Sequence, residues 1–178
     1  STIISLRTKD EVTIEASHRL YKLLSQPSDV YGISVEDIAE AIYPAGFYKT
    51  KAPRIWRICD RLVREFEGTV PDDIDTLLTF EGVGRKTANL VISEGYGKPA
   101  MCIDTHCHRI PNRWGYISTK DPYETEMLLR EIMPVAYWNE FNALLVAFGQ
   151  SICKPVSPHC SQCPLAQYCQ RIGVEKSR

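Results

Sequence analysis

Apolar residues recur at intervals of three and four positions along almost the whole chain, and this periodicity is the feature that most restricts its fold. No run alternates convincingly between apolar and polar residues, so we predict an all-α fold. Pro71 is expected at the first position of a helix in PDDIDTLLTF, and Pro111 is expected to cut the helix in DTHCHRIPNRWG. The other predicted helices cover 9–24, 34–44, 49–66, 122–134, 137–153 and RKTANLVISEGYG.

Size and composition limit the architecture and the compartment. With 178 residues, 44% of them hydrophobic, the chain can bury one sizeable core or two small lobes that share a cleft. No apolar run approaches the roughly 18 residues of a membrane span, and no signal-peptide pattern is present, so we expect a soluble, intracellular protein. The opening STIISLRTKDEVT reads as a helix already under way, so we expect the native N-terminus to lie upstream.

The net charge of −1 argues by itself against a nucleic-acid partner, but positive charge is concentrated in one segment. Between Lys49 and Glu67 there are six Lys and Arg residues and three acidic residues. On a helix, the arginines of this segment form one stripe. That stripe is either part of a nucleic-acid-binding surface or an ordinary solvated helix face, and composition does not decide between them. Its members are Arg54, Arg57, Arg61 and Arg64.

The stretch EGVGRKTANLV predicts a tight turn that leads into a helix. Gly82 and Gly84 can adopt positive φ without steric cost, and the turn's N–H groups next to a helix N-terminus favour an anion such as a DNA phosphate. With the preceding helix, the stretch forms a candidate helix–hairpin–helix over about 71–95. The alternative is any tight αα-hairpin, because two glycines alone are a weak signal.

Lys86 occupies an unfavourable place for a cation. The helix dipole disfavours an ammonium group in the first turn by about 0.3–1 kcal/mol. An uncharged Lys86 amine at a cleft could attack an electrophilic sugar carbon and form a Schiff base, helped by the charge of the neighbouring Arg85. The alternative is a surface lysine that contacts a phosphate.

Four of the seven cysteines lie within seventeen residues, in the pattern C-x6-C-x2-C-x5-C. Disulfides fit an intracellular chain poorly. Thiolates are suitable ligands for zinc and for iron–sulfur clusters alike, so the spacing alone leaves both open.

Three motifs together resemble the endonuclease III branch of the helix–hairpin–helix DNA glycosylases. They are GVGRKTAN, Asp104 in CIDTHCHR eighteen positions after Lys86, and the four-cysteine loop. The resemblance runs from Ile4 to about Cys169 and implies two lobes with DNA crossing the cleft. It implies a helical bundle over 1–98 and a cluster lobe over 99–178, from which this chain is expected to lack an N-terminal segment. It also implies a [4Fe–4S] cluster in the loop 153–169, held by Cys153, Cys160, Cys163 and Cys169.

The activity implied by the resemblance is base-excision repair of double-stranded DNA. Lys86 would attack C1′ of a flipped, oxidised pyrimidine nucleotide and then cut the strand 3′ to the site by β-elimination, also at abasic sites. Asp104 would be the catalytic carboxylate, a role compatible with capping a helix. The enzyme is expected to act as a monomer in the cytoplasm or nucleoid. The alternatives are a monofunctional thymine, uracil or adenine mismatch glycosylase, whose branches typically lack that lysine, and a non-catalytic DNA-binding module.

The resemblance also implies DNA contacts for two other segments and for the hairpin. Phe47 in GFYKTKA matches the family's apolar wedge, although it could be a core aromatic at a helix end. Arg7 in ISLRTKD replaces a glutamine that fills the space left by the flipped base, which alters what the opposite base must offer. Glu81 replaces the proline that the family usually has before GVG. A carboxylate at this position disfavours phosphate binding unless it points away from the phosphates. The hairpin contacts are Gly82, Val83, Gly84 and Arg85.

Overall fold

The computed structural model describes every residue from Ser1 to Arg178 and is entirely helical. The all-α prediction is therefore confirmed. Short 3₁₀ helices cover Pro27–Gly32, Val135–Tyr137, Cys160–Gln162 and Ala166–Tyr168, and a π-helix covers Val91–Gly95. The α-helices are α1 Thr2–Ser5, α2 Asp10–Leu23, α3 Val35–Ile42, α4 Tyr48–Phe66, α5 Ile74–Leu78, α6 Arg85–Leu90, α7 Thr105–Trp114, α8 Pro122–Ile132 and α9 Trp138–Ser151.

The chain divides into two compact units, Ser1–Val91 and Ile92–Arg178, and each has its own core. The predicted boundary between a helical bundle over 1–98 and a cluster lobe over 99–178 stays a prediction. None of the helices is long and apolar enough to cross a membrane.

The core of the first unit lies among α1 to α4. Ile38 and Ile42 of α3 are fully buried, as is Ala52 of α4, because the apolar stripes of these amphipathic helices face one another. A capping box starts α3, in which the Ser34 and Asp37 side chains each bond the other residue's backbone N–H.

The second unit is built on α7, α8 and α9. Met101, Ile110 and Leu129 are fully buried in its core. Helices α7 and α9 approach closely because Gly149 has no side chain, and a Cβ built there would overlap Nδ1 of His106.

Two sequence predictions about prolines are wrong. Helix α5 begins at Ile74 rather than at Pro71, because the Asp73 carboxylate caps it by accepting a hydrogen bond from the Thr76 N–H at 2.8 Å. Pro111 does not cut α7, which continues to Trp114. The Pro111 ring is almost completely buried, and this burial offsets the backbone hydrogen bond that proline cannot donate.

Candidate functional site

The predicted hairpin is present between α5 and α6. Thr79 and Phe80 close the end of α5, and the Val83 N–H donates to the Phe80 carbonyl at 3.1 Å. Only one of the two glycines needs its conformational freedom. Gly82 has φ +77°, whereas Gly84 is extended with φ −93° and serves as the N-cap of α6.

The hairpin residues differ in what they present to solvent. Arg85 is half-buried, and Lys86, the second residue of α6, is exposed. Thr87, Ala88 and Asn89 directly after it are buried. The Val83 side chain is partly buried and packs against the core of the first unit. Lys86 is therefore an exposed residue at a helix start, and the turn that follows it is buried.

The arginine stripe of α4 is neither an open basic surface nor a plain solvated face, because three of its members contact the hairpin. Arg57 forms a two-bond ion pair with Glu81, and the Arg54 side chain covers Gly82. Arg61 donates to the Thr79 carbonyl at 3.0 Å, and its guanidinium carbon lies 4.3 Å from the centre of the Phe80 ring. The fourth member, Arg64, pairs with Asp60 on the same helix at 2.7 Å.

Arg7 and Phe47, the two predicted base-contacting residues, lie side by side although forty positions separate them. The Arg7 guanidinium carbon is 5.5 Å from the centre of the Phe47 ring. Phe47 is 61% exposed, so it is not a core aromatic. Both residues have left-handed backbones, with φ 53° at Arg7 and 58° at Phe47. Such a conformation is uncommon outside glycine and marks sites where surrounding structure holds the backbone.

Asp104 is the N-cap of α7. Its Oδ1 accepts hydrogen bonds from the N–H groups of His106 and Cys107, both at 2.8 Å. These bonds orient the half-buried carboxylate at the positive end of the helix dipole. Burial raises the pKa of the Cys107 thiol to about 12, so this neighbour stays protonated and unreactive.

The four-cysteine loop fits an iron–sulfur cluster. No cysteine forms a disulfide, and the four cysteines of the loop line a single cavity whose apolar walls include Trp114 and Phe148. No set of three or more side chains has the spacing expected for one metal ion. His159 also lines the cavity, and its Nε2 is buried without a hydrogen-bond partner. The cluster would supply structural support when bound.

Two arginines of α7, which sequence reasoning missed, hold the start of this loop. The Arg113 guanidinium donates to the carbonyls of Lys154 and Pro155, each at 2.6 Å, and lies 3.6 Å from Cys153 Sγ. Arg109 donates to the Cys153 carbonyl at 2.8 Å. Their four-residue spacing on a helix placed them on one face, but no local signal indicated that they would contact the loop. N–H groups near cluster sulfurs are a usual means of tuning such sites.

Comparison with known proteins agrees with these features. A family model described as "HhH-GPD superfamily base excision DNA repair protein" matches residues 1–135, and one described as "Iron-sulfur binding domain of endonuclease III" matches 153–169. Endonuclease III of Thermotoga maritima is 43% identical over 170 residues, which cover 96% of this chain and 80% of that protein. The chloroplastic endonuclease III homolog 2 of Arabidopsis thaliana is 37% identical over 94% of this chain, which spans 46% of the plant protein.

A solved structure of a trapped endonuclease III–DNA covalent intermediate matches the fold with a TM-score of 0.87 and 34% identity, covering 95% of this chain and 80% of that one. The fold and the site thus define a base-excision DNA repair protein with a helix–hairpin–helix. The chain belongs to the endonuclease III family. This confirms the predicted enzyme class, a DNA glycosylase with abasic-site lyase activity, and the [4Fe–4S] cofactor. It favours the bifunctional enzyme over the mismatch glycosylase and the non-catalytic module.

Proposed function

We propose that this chain removes oxidised pyrimidines from double-stranded DNA and then cuts the strand at the abasic site, with Lys86 as the nucleophile. The observation that carries the proposal is the placement of Lys86. It is an exposed lysine at the second position of a helix, directly after a tight turn with a left-handed glycine.

The Lys86 amine attacks C1′ of the damaged nucleotide, and the bond from C1′ to the base breaks as the base leaves with its electron pair and takes up a proton. Opening of the sugar ring gives a Schiff base between C1′ and the lysine nitrogen. Loss of a proton from C2′ then allows the C3′–O bond to break, which cuts the strand 3′ to the lesion. Water hydrolyses the Schiff base and regenerates the amine.

Asp104 supplies the second catalytic group. Its carboxylate stabilises positive charge that develops on the sugar as the base departs, and its two backbone hydrogen bonds keep it oriented before substrate binds. Since hydrogen bonds fix one of its oxygens, the group needs little reorganisation during the reaction.

The remaining predicted residues bind DNA and the cluster. The turn formed by Gly82, Val83 and Gly84 and the side chain of Arg85 contact phosphates. Because the Val83 N–H is bonded to the Phe80 carbonyl, the N–H groups of Gly82 and Gly84 are the donors of this turn. Arg7 and Phe47 fill the gap that the flipped nucleotide leaves. The cluster ligands are Cys153, Cys160, Cys163 and Cys169. The enzyme acts as a monomer on DNA in the cell interior.

Borohydride trapping tests this function, because reduction of the Schiff base joins enzyme and DNA permanently. We expect an adduct with a duplex that contains an oxidised pyrimidine and with an abasic duplex, but not with undamaged DNA. Lys86→Gln should abolish the adduct. Lys22→Gln, which removes an exposed lysine of α2, is the matched control and should leave it intact. An adduct that forms equally well with Lys86→Gln refutes the assignment.

A further inference from the structure

Lys51 is a buried lysine for which the proposed chemistry has no use. It lies in the first turns of α4 and is 3% exposed. Its Nζ donates to the carbonyls of Ile4 and Leu6, at 2.8 and 2.5 Å, and to the Thr8 hydroxyl at 3.0 Å. Burial, together with the charge of Arg54, lowers the pKa of Lys51. Burying an ammonium group is costly unless its N–H groups are satisfied, and here three acceptors satisfy them.

These bonds hold the turn between α1 and α2, which carries Arg7. The Ile4 and Leu6 carbonyls lie at the end of α1, and Thr8 directly follows Arg7. The Thr8 hydroxyl also accepts a hydrogen bond from the Gly46 N–H at 3.0 Å. A Cβ built on Gly46 would overlap the Arg7 carbonyl oxygen. The turn is thus seated directly on the backbone that precedes Phe47.

Lys51 is also bonded through its main chain to Phe47, the residue whose ring lies against Arg7. Its N–H donates to the Phe47 carbonyl at 3.0 Å, in the first turn of α4. One residue therefore bonds the Arg7 turn with its side chain and the Phe47 backbone with its main chain. This arrangement explains how two residues with left-handed backbones are kept next to each other on the surface.

We infer that Lys51 is the positioning residue that joins Arg7 and Phe47 into one preorganised DNA-contacting pair, and that discrimination of the opposite base depends on it. The inference rests on the proposed function, because that function gives Arg7 and Phe47 their contacts with bases. A contact group must be held within about 0.5 Å of its working position by the residues behind it. An arginine on an unsupported turn would lose affinity to ordering entropy, and the Lys51 bonds remove that cost before DNA binds.

The test removes a hydrogen bond that Lys51 makes to the Arg7 turn and leaves the Arg7 and Phe47 side chains unchanged. Thr8→Val keeps the shape of the side chain but removes the hydroxyl that accepts from Lys51 and from Gly46. Thr8→Ser restores the hydroxyl. Thr13→Val is the matched control, because the Thr13 hydroxyl bonds only its own helix, at the Lys9 carbonyl. Lys51→Met is the more severe variant, and the Thr8 series decides the question if Lys51→Met fails to fold.

The measurement is the affinity for duplexes that carry a non-cleavable abasic analogue opposite each of the four bases. We expect Thr8→Val to weaken binding by about tenfold, a typical loss for one ordered contact group, and to reduce the differences among opposite bases. Thr8→Ser should recover both. In combination with Arg7→Ala, Thr8→Val should cost nothing further, because both changes remove the same contact.

Two results overturn the inference. One is a Thr8→Val protein that is less stable but keeps wild-type affinity and opposite-base ranking. The other is an Arg7→Ala protein that binds all four duplexes as the wild type does. In either case, borohydride trapping of the wild type by Lys86 still supports the proposed function. Absence of a trapped adduct would refute that function. The affinities of the Thr8 variants would still show whether Lys51 positions Arg7.

Discussion

Arg57 donates two parallel hydrogen bonds to the Glu81 carboxylate, from Nε to Oε2 at 2.7 Å and from Nη2 to Oε1 at 2.9 Å. Arg54 adds a longer ion pair to the same carboxylate at 3.8 Å. These contacts fasten the hairpin turn to α4 and direct the carboxylate toward the arginines. Glu81 replaces a proline of the family pattern. The guanidinium of Arg57 balances its negative charge.

Replacing Glu81 with glutamine should strengthen DNA binding. The bonds from Arg57 lower the pKa of Glu81, so the carboxylate is ionised at any pH used for a repair assay and offsets positive charge near the proposed phosphate site. Its loss frees Arg57 for a phosphate, and the slope of log affinity against log salt should become steeper by about 1. Fluorescence anisotropy with an undamaged duplex over a salt series measures this slope.

Asp60→Asn is the control for that experiment, because it frees Arg64 from its ion pair near the other end of α4. A slope that changes equally in both variants would mean that general charge, rather than the hairpin, explains the effect.

Two substitutions of Asp104 should separate its capping role from its proposed catalytic role. Asparagine caps helices as well as aspartate does, so Asp104→Asn should keep wild-type stability, whereas Asp104→Ala should lose about 0.5–2 kcal/mol. Both should slow base release by about 10²–10⁴-fold, because both remove the charge. Thermal unfolding and single-turnover kinetics measure the two effects. Wild-type kinetics in Asp104→Asn would contradict the catalytic assignment.

Gly149→Ala should destabilise the second unit. The added methyl group would overlap the His106 ring, so α7 and α9 must separate or the ring must leave Arg109, whose Nη2 lies 3.2 Å from His106 Nδ1. Overpacking of this kind costs about 1–3 kcal/mol. Gly95→Ala is the control, since no atom lies within 4 Å of a Cβ there and alanine favours helix. Equal urea midpoints for the two variants would show that the close approach is unimportant.

Loss of the cluster should affect one unit and spare the other. Cys160→Ala removes a proposed ligand, so the purified protein should lose its broad visible absorption, whereas Cys59→Ala, outside the loop, should keep it. Because each unit has its own core, amide hydrogen exchange should accelerate in α7 and α9 while α3 and α4 stay protected. A colourless wild-type protein that contains zinc would contradict the iron–sulfur assignment.

The sequence predicted the long helices well because their apolar stripes are local patterns. The helix predicted over 49–66 is α4, Tyr48–Phe66, and the helix predicted over 137–153 is α9. The prolines were misjudged because propensity is a local quantity, whereas Pro111 is retained by burial in the core. The short motifs indicated the family and the enzyme class. The roles of Lys86, Asp104 and the four cysteines remain predictions.

Side-chain partners far apart in sequence could not be predicted. Lys51 in KTKA looks like an ordinary surface lysine, and only the fold brings the end of α1 over it. The arginines of α4 carried the right charge, but nothing near them in sequence showed that Glu81 and Thr79 would be their partners. Such contacts depend on how the helices pack against one another, and the spacing of apolar residues along a helix does not predict that packing.

Helix α7 bears Asp104 at one end and, within its last turn, the arginine that grips the cysteine loop. Its ten residues form a rod of about 15 Å, since each residue of an α-helix advances 1.5 Å. Because Arg113 bonds this helix to the cysteine loop, we expect disorder in the loop to loosen the same helix whose N-terminus orients the proposed catalytic carboxylate.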